Sequence, residues 1–379
     1  MLYVEPIRSP LWRVKRAATQ TRQPAGPPRE VAPNVWLLTL PALFTPMFLY
    51  RRWSVLRHFN NWLMTRWVRK AAASLGLNAP IVWAYQITYA GAALLREADL
   101  SVYDCIDEWA GAARSPSEKR FFTELDRALC ESADVLFTGS QNLAAARRQL
   151  NPQHAMVPQG VDLAHFLPPL GAPLPPPADL AALRGPVIGL VGVLNHTRID
   201  IDLLCHLAAA RPQWSIALVG PVWKGLDTAR LAGHANIHLL GNKPREELGR
   251  YIGGFDVCML PYLINDFTRN IFPLKLFEYL ASGKPFVSTP IPACAEFPRL
   301  IRTAADHTAF VAAVDDALAE SDPALRAERI SLARENDWDR PTADKVRFVA
   351  ARLAADAAGG RASLARNASA ATAVPGTRP

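Results

Sequence analysis

Phe272-Pro-Leu-Lys-Leu-Phe-Glu-Tyr-Leu-Ala-Ser-Gly-Lys-Pro-Phe-Val-Ser-Thr289 decides the fold. Pro273 sits in the first turn of a helix, where its missing N–H is no loss, and Gly283 stands where a left-handed residue ends one. Pro285 then precedes Phe286-Val287, a short apolar run that reads as a buried strand. The spacing predicts a loop, a helix over 273–282 and a strand over 286–288. Lys275 and Glu278 fall on adjacent faces of that helix. A cation near a helix N-terminus suits phosphate, and a carboxylate one turn later can accept from two sugar hydroxyls.

Working back from this stretch, strand and helix alternate. Apolar strands are predicted over 187–192, 214–219, 237–240 and 257–260, with a helix capped by Asp200 and running to Ala210 and another over 245–252. Alternation with short Gly/Pro connections implies a parallel sheet with helices on both faces. The N-terminal half is similar in kind. Strands are expected over 2–4, 35–39, 81–83, 100–103 and 135–138, and helices over 53–75, 117–132 and 140–149. Pro168, Pro169, Pro173, Pro175, Pro176 and Pro177 mark the segment 168–186 as a linker without regular structure. The fold class is therefore α/β, with two doubly wound parallel-sheet domains. Their bounds are 1–167 and 187–335, followed by a helix over 336–356 that packs back on the first domain and a disordered tail over 357–379.

The chain has 379 residues, half of them hydrophobic and a fifth charged, which suits two globular domains with their own cores. Cys105, Cys130, Cys205, Cys258 and Cys294 show no paired spacing, so they read as reduced packing residues rather than a disulfide frame or zinc site. The net charge of +8 is unevenly spread. Residues 1–96 hold thirteen Lys/Arg against Glu5 and Glu30, while the remainder holds 29 basic and 32 acidic residues. A basic first domain implies an anionic partner. No signal peptide is expected, and Pro33, Pro41 and Pro46 argue against a span over 31–50. Within 50–70, Arg51, Arg52, Arg57 and Arg66 join Trp53, Trp62 and Trp67 on one helix, a composition that favours an anionic membrane surface.

Four stretches together carry a family resemblance, extending from Leu2 to about Leu353. Met156-Val-Pro-Gln-Gly-Val-Asp-Leu-Ala-His-Phe166 resembles the "NGVD…F" segment closing the first domain of GT-B glycosyltransferases, with Gln159 replacing the usual Asn. Gly189-Leu-Val-Gly-Val-Leu-Asn-His-Thr-Arg-Ile-Asp200 resembles the glycine-bearing first turn of their donor domain. Ile237-His-Leu-Leu-Gly241 resembles the strand and turn beside the base, and 272–289 resembles the donor-sugar and ribose site. The likeness is greatest to the family-4-like bacterial transferases of exopolysaccharide or teichuronic-type polymers. It implies two Rossmann-like domains facing a cleft, a nucleotide-sugar donor and a lipid-linked or polysaccharide acceptor. Two departures stand out. The family has two glutamates in this motif, and the position eight before Glu278 is Asn270. The chain also opens at Leu2-Tyr-Val-Glu-Pro6, which resembles the family's second strand, so its first strand and glycine turn are expected to be missing.

The resemblance implies that Glu278 accepts from the ribose hydroxyls, that Lys275 neutralises the diphosphate, and that Asn270 can bond a sugar or phosphate. Gly192, Gly241 and Leu274 complete the donor-binding set. Arg198, just before the helix at Asp200, can meet a phosphate there, and His196 is a weaker neighbour. No carboxylate pair has metal spacing, so no essential metal or other cofactor is expected. Asp107 and Asp104 follow a strand at the carboxyl edge of the first sheet, where ligands bind in such folds. Either can serve as the base of an inverting enzyme; a retaining one needs none. The leading expectation is a cytoplasmic glycosyltransferase, peripheral on the inner face of the membrane and without a nucleic-acid partner. An epimerase of the same fold and a non-catalytic sugar-nucleotide-binding homologue are the alternatives.

Overall fold

The computed structural model describes residues 1–5, 26–40, 54–77, 80–87, 89–113, 115–167 and 174–358. Three short strands come first: β1 (Leu2–Val4), β2 (Arg29–Ala32) and β3 (Val35–Leu38). They form a small sheet in the order β1-β3-β2, with β1 parallel and β2 antiparallel to β3. Pro33-Asn34 makes the β2–β3 turn, where Asn34 adopts φ 61°, a conformation that asparagine tolerates. The helix α1 (Ser54–Ser74) follows.

The first large sheet contains β4 (Ile81–Ala84), β5 (Leu100–Cys105), β6 (Val135–Thr138) and β7 (His154–Met156), all parallel and in sequential order. Its crossovers are α2 (Tyr89–Glu97), α3 (Pro116–Ser132) and α4 (Gln141–Arg147). Each start has a local cause. Ser115 Oγ accepts from the Glu118 amide with Pro116 in the first turn, and Ser140 Oγ accepts from the Leu143 amide.

Two short helices, α5 (Leu163–Phe166) and α6 (Ala178–Ala181), lead to the second domain. The presence of α6 corrects the reading of 168–186 as wholly irregular. Its Asp179 accepts from Lys243 Nζ at 2.6 Å and from Tyr251 Oη, which fastens the linker end to the second domain.

The second domain contains β8 (Val187–Val191), α7 (Ile201–Ala210), β9 (Ser215–Val219), α8 (Thr228–Ala232), β10 (Ile237–Gly241), α9 (Arg245–Gly253) and β11 (Val257–Leu260). Then come α10 (Leu274–Ser282), β12 (Phe286–Ser288), α11 (Pro292–Ala295), β13 (Arg302–Thr303), α12 (His307–Leu318) and α13 (Pro323–Glu335). Its six strands are parallel in the order β10-β9-β8-β11-β12-β13, so the winding reverses between β8 and β11. That reversal opens a crevice at the carboxyl ends of the strands. Every residue of β8, β9, β11 and β12 is buried, as a sheet covered on both faces requires.

The final helix, α14 (Asp339–Ala358), crosses back to the first domain. Val349 joins Leu100, Val102, Val135 and Phe137 in one core cluster, and the Phe348 and Phe137 rings meet edge-on at 5.6 Å. Lys345 Nζ donates to Asp104 Oδ2 at 2.6 Å within this contact. Asp104 therefore lies inside β5, which runs two residues further than the sequence predicts.

Candidate functional site

A cavity of about 460 Å³ lies between the two large sheets, at the carboxyl ends of β8, β9, β10 and β11. Glycines let those strand ends come close enough to form its wall. The Gly192 N–H donates to the Val219 carbonyl at 2.8 Å, and the Gly220 N–H donates to the Gly241 carbonyl at 2.8 Å. A methyl group on Gly220 would stand 1.9 Å from the Gly192 carbonyl oxygen, so no other residue fits there. Gly241 takes φ 76°, a left-handed turn.

The second domain supplies the cations. Arg198 is held by its loop: Asn195 Oδ1 accepts from the Arg198 amide at 2.9 Å, and the Arg198 carbonyl accepts from the Leu263 amide at 2.7 Å. Its guanidinium lies 4.6 Å from the centre of the Phe267 ring and makes no ion pair among the described residues. Across the cavity, α10 presents its N-terminus, and Pro273, Leu274 and Lys275 all line the space. Pro273 is the N-cap residue, one position earlier than the sequence suggests, and Gly283 closes the helix at φ 73°. Lys275 Nζ donates to Glu278 Oε2 at 2.6 Å; the lysine lines the cavity, and the buried glutamate stands one turn behind it. Tyr262 also faces this space. Burial pushes its phenol up to about 12, against the opposing pull of Arg198, so it remains a hydrogen-bond donor.

The first domain contributes Ile106, Asp107 and Gln159. Burial raises the Asp107 carboxyl above the ordinary aspartate value, with Arg198 pulling in the opposite direction. A raised value makes the carboxylate a better proton acceptor. The Gln159 Nε2 is buried and has no hydrogen-bond partner among the described residues.

Cavity lining thus includes Asp107, Arg198, Gly192, Leu274 and Lys275 from the sequence-selected set, with Glu278 behind Lys275. The others stand elsewhere. Asp104 is fully buried in β5, its Oδ2 shared between Lys345 and Trp83 Nε1, so the neighbouring strands and α14 shut it off from the cleft. His196 is exposed beside Gly225, and Gly241 spends its carbonyl on Gly220. Asn270 belongs to a bridge between the domains. Its Nδ2 donates to the Asp266 carbonyl, and its own carbonyl accepts from Ser140 Oγ, both at 2.6 Å. Asn142 Nδ2 donates to the Arg269 carbonyl at 2.6 Å, and Lys119 pairs with Asp266 at 2.7 Å. Sequence reasoning missed Gly220 and Tyr262. The signal for Gly220 was present, since Leu218-Val-Gly220 repeats the strand-then-glycine pattern of Leu190-Val-Gly192.

On α1, Val55, Phe59 and Trp62 are 77%, 56% and 56% exposed. Their spacing places them on one helical face, with the Arg66 guanidinium 5.8 Å from the Trp62 ring. Trp67 is half-buried, and Arg51, Arg52, Trp53 and the Arg57 side chain lie outside the described residues. Among the described residues, no helix is long and apolar enough to cross a membrane.

Residues 185–320 match the family described as "Glycosyl transferases group 1". A Bacillus subtilis protein, assigned to teichuronic acid biosynthesis as the glycosyltransferase TuaH, is 27% identical over 262 residues, 64% of each chain. The chain thus spans just under two thirds of that relative's length. Among solved structures, a sucrose-phosphate synthase from Thermosynechococcus elongatus superposes with a TM-score of 0.66 at 18% identity, over 87% of this chain and 86% of that one. An E. coli trehalose-6-phosphate structure bound with UDP-2-fluoro glucose gives 0.66 at 14% identity, over 91% and 98%. Anabaena HepE in complex with UDP gives 0.59 at 14%, over 84% and 86%. Residues 185–320 thus match a group 1 glycosyl transferase domain, and with two parallel-sheet domains closing on one cleft the chain has the GT-B fold of these solved structures.

Proposed function

We propose that this chain transfers a sugar from a nucleoside diphosphate sugar to a lipid-linked or polysaccharide acceptor in cell-envelope or exopolysaccharide synthesis. One observation carries the proposal. Arg198, a cation with no ion-pair partner among the described residues, faces the same cavity as Lys275 and the N-terminus of α10. Together these meet the charge of a diphosphate, so the proposal includes no essential metal. UDP complexes among the structural neighbours support a uridine donor.

In this reading the diphosphate lies between Arg198 and Lys275, and Glu278 accepts from the ribose once Lys275 turns to the phosphate. Asp107, across the cleft, takes the proton of the acceptor hydroxyl as its oxygen bonds the sugar carbon. The bond from that carbon to the diphosphate oxygen breaks, and the departing charge falls to Arg198 and Lys275. This is an inverting course. The exposed Val55–Phe59–Trp62 face with Arg66 supports peripheral attachment to an anionic membrane, which would bring a lipid-linked acceptor to the cleft.

The test is release of nucleoside diphosphate from UDP and GDP sugars with and without a lipid-linked acceptor. Acceptor-dependent release, lost in Arg198→Ala, is the expected result. Conversion of donor alone would indicate the epimerase. Asn270 stands in the interdomain bridge rather than the cavity lining, which favours a non-catalytic sugar-nucleotide-binding homologue as the second reading. Nucleotide binding without any turnover would select it.

A further inference from the structure

We infer that Lys119 and Asn142, in the first domain, are positioning residues for Arg198, acting through the turn 263–270 of the second domain. That turn lies between β11 and α10, so the chain that forms it runs directly on to Lys275. Asparagine side chains make it rigid. Asn265 Oδ1 accepts from the Phe267 and Thr268 amides, both at 3.0 Å, and Asn270 Nδ2 donates back to the Asp266 carbonyl at 2.6 Å. Phe267 and Thr268 are both buried, which packs the turn against its surroundings.

On one side the turn grips Arg198. Asn265 Nδ2 donates to the Thr197 carbonyl at 2.8 Å, and the Leu263 amide donates to the Arg198 carbonyl at 2.7 Å. The guanidinium itself rests on the Phe267 ring at 4.6 Å, so it follows that ring wherever the turn goes. On its other side the turn is docked on the first domain. Lys119 Nζ, on α3, donates to Asp266 Oδ2 at 2.7 Å, and Asn142 Nδ2, on α4, donates to the Arg269 carbonyl at 2.6 Å. Ser140 Oγ adds a bond to the Asn270 carbonyl, but it also caps α4. The backbones meet as well: a methyl group on Gly111 would stand 2.9 Å from the Phe267 amide nitrogen. Neither Lys119 nor Asn142 lines the cavity. Their contacts reach an anion in the cleft through this turn, and the first domain thereby sets how firmly the second holds a diphosphate.

The inference rests on the contact between Arg198 and the diphosphate proposed above, and it holds for either stereochemical course. The Lys119 and Asp266 side chains are 55% and 63% exposed, so exchanging their charges does not threaten the fold. Calorimetric titration with UDP is expected to show binding weakened about three- to tenfold in Lys119→Asp, where two carboxylates now face each other. Lys119→Asp combined with Asp266→Lys restores the pair with its signs exchanged, and affinity should return to within about twofold of the parent's. Asn142→Ala, which releases the Arg269 carbonyl, should weaken binding in the same direction. In an Arg198→Ala background, Lys119→Asp should change the UDP affinity less than about twofold, since the effect passes through that guanidinium. A loss that persists undiminished without Arg198 overturns the inference, because it would mark a field effect of the lost charge. Parent-like affinity in both Lys119→Asp and Asn142→Ala overturns it too. Should Arg198→Ala itself bind UDP as the parent does, the diphosphate contact fails instead. Amide hydrogen exchange then judges the link: release of the docking in Lys119→Asp with Asn142→Ala should quicken exchange at Leu263, Phe267 and Thr268, and unchanged exchange there sinks it.

Discussion

Removing the Glu278 carboxylate separates two ways in which that residue could serve the donor. Glu278 is 8% exposed and engaged with Lys275 Nζ at 2.6 Å, and only the lysine lines the cavity. If Glu278 bonds the ribose itself, Glu278→Ala loses hydrogen bonds to a charged acceptor, each worth about 1.5–3 kcal/mol. Allowing for non-additivity, the loss is about 2–4 kcal/mol, or roughly 30- to 1,000-fold in nucleotide Kd. The fold should tolerate the change. Alanine suits a helix interior, and the Lys275 side chain, 19% exposed, keeps contact with water at the cavity. A destabilisation of about 1–2 kcal/mol, a few degrees in Tm, is the expected scale. Calorimetric titration of UDP into the parent, Glu278→Ala, Lys275→Ala and the double variant completes a cycle. Direct ribose binding makes the double variant bind worse than Lys275→Ala by at least about 1.5 kcal/mol, the worth of a hydrogen bond to a charged group. If Glu278 only holds Lys275, the double variant binds no worse than Lys275→Ala. Nucleotide affinity within twofold of the parent in Glu278→Ala would refute the placement of the donor altogether.

Asp107→Asn should abolish acceptor-dependent turnover while raising Tm near neutrality. The raised folded-state value means that the native protein binds more protons than the unfolded chain between the two titrations. Asp107 therefore costs stability as pH rises through its folded value, and the variant's advantage should vanish below about pH 4. A Tm equal to the parent's across that window would contradict this. Lys345→Ala leaves the Asp104 carboxylate buried without its partner and should destabilise by about 3–5 kcal/mol, seen as a lower urea midpoint; Asp104→Leu combined with Lys345→Met should recover most of it. Gly220→Ala forces a methyl to 1.9 Å from the Gly192 carbonyl, which should cost about 1–3 kcal/mol or more and weaken UDP binding by moving the cavity wall. Trp62→Glu with Phe59→Glu should release the protein from anionic vesicles in a sedimentation assay. Co-sedimentation equal to the parent's would count against the membrane face.

The second domain was nearly all legible in the sequence, and the reason is its burial. Runs such as Val187–Val191 and Val257–Leu260 are apolar throughout because both faces of the sheet are covered. Asp200 marks its helix start and Gly283 its helix end by local chemistry alone. Asp104 was misread because strand length depends on a neighbour. The β5 strand continues to Cys105 since β6 supplies partners up to Thr138, and a lysine 241 residues away satisfies the carboxylate. Asn270 was misplaced for a similar reason. Its position relative to Glu278 in sequence says nothing of Ser140, which draws its carbonyl into the interdomain bridge. Arg198 and Lys275 could be found because each sits beside a helix N-terminus.

The most direct measurement is a crystal structure of the protein grown with UDP. The account predicts a diphosphate at the N-terminus of α10, with Arg198 and Lys275 both within hydrogen-bond reach. A diphosphate that contacts neither side chain, or a nucleotide bound outside this cleft, would contradict it.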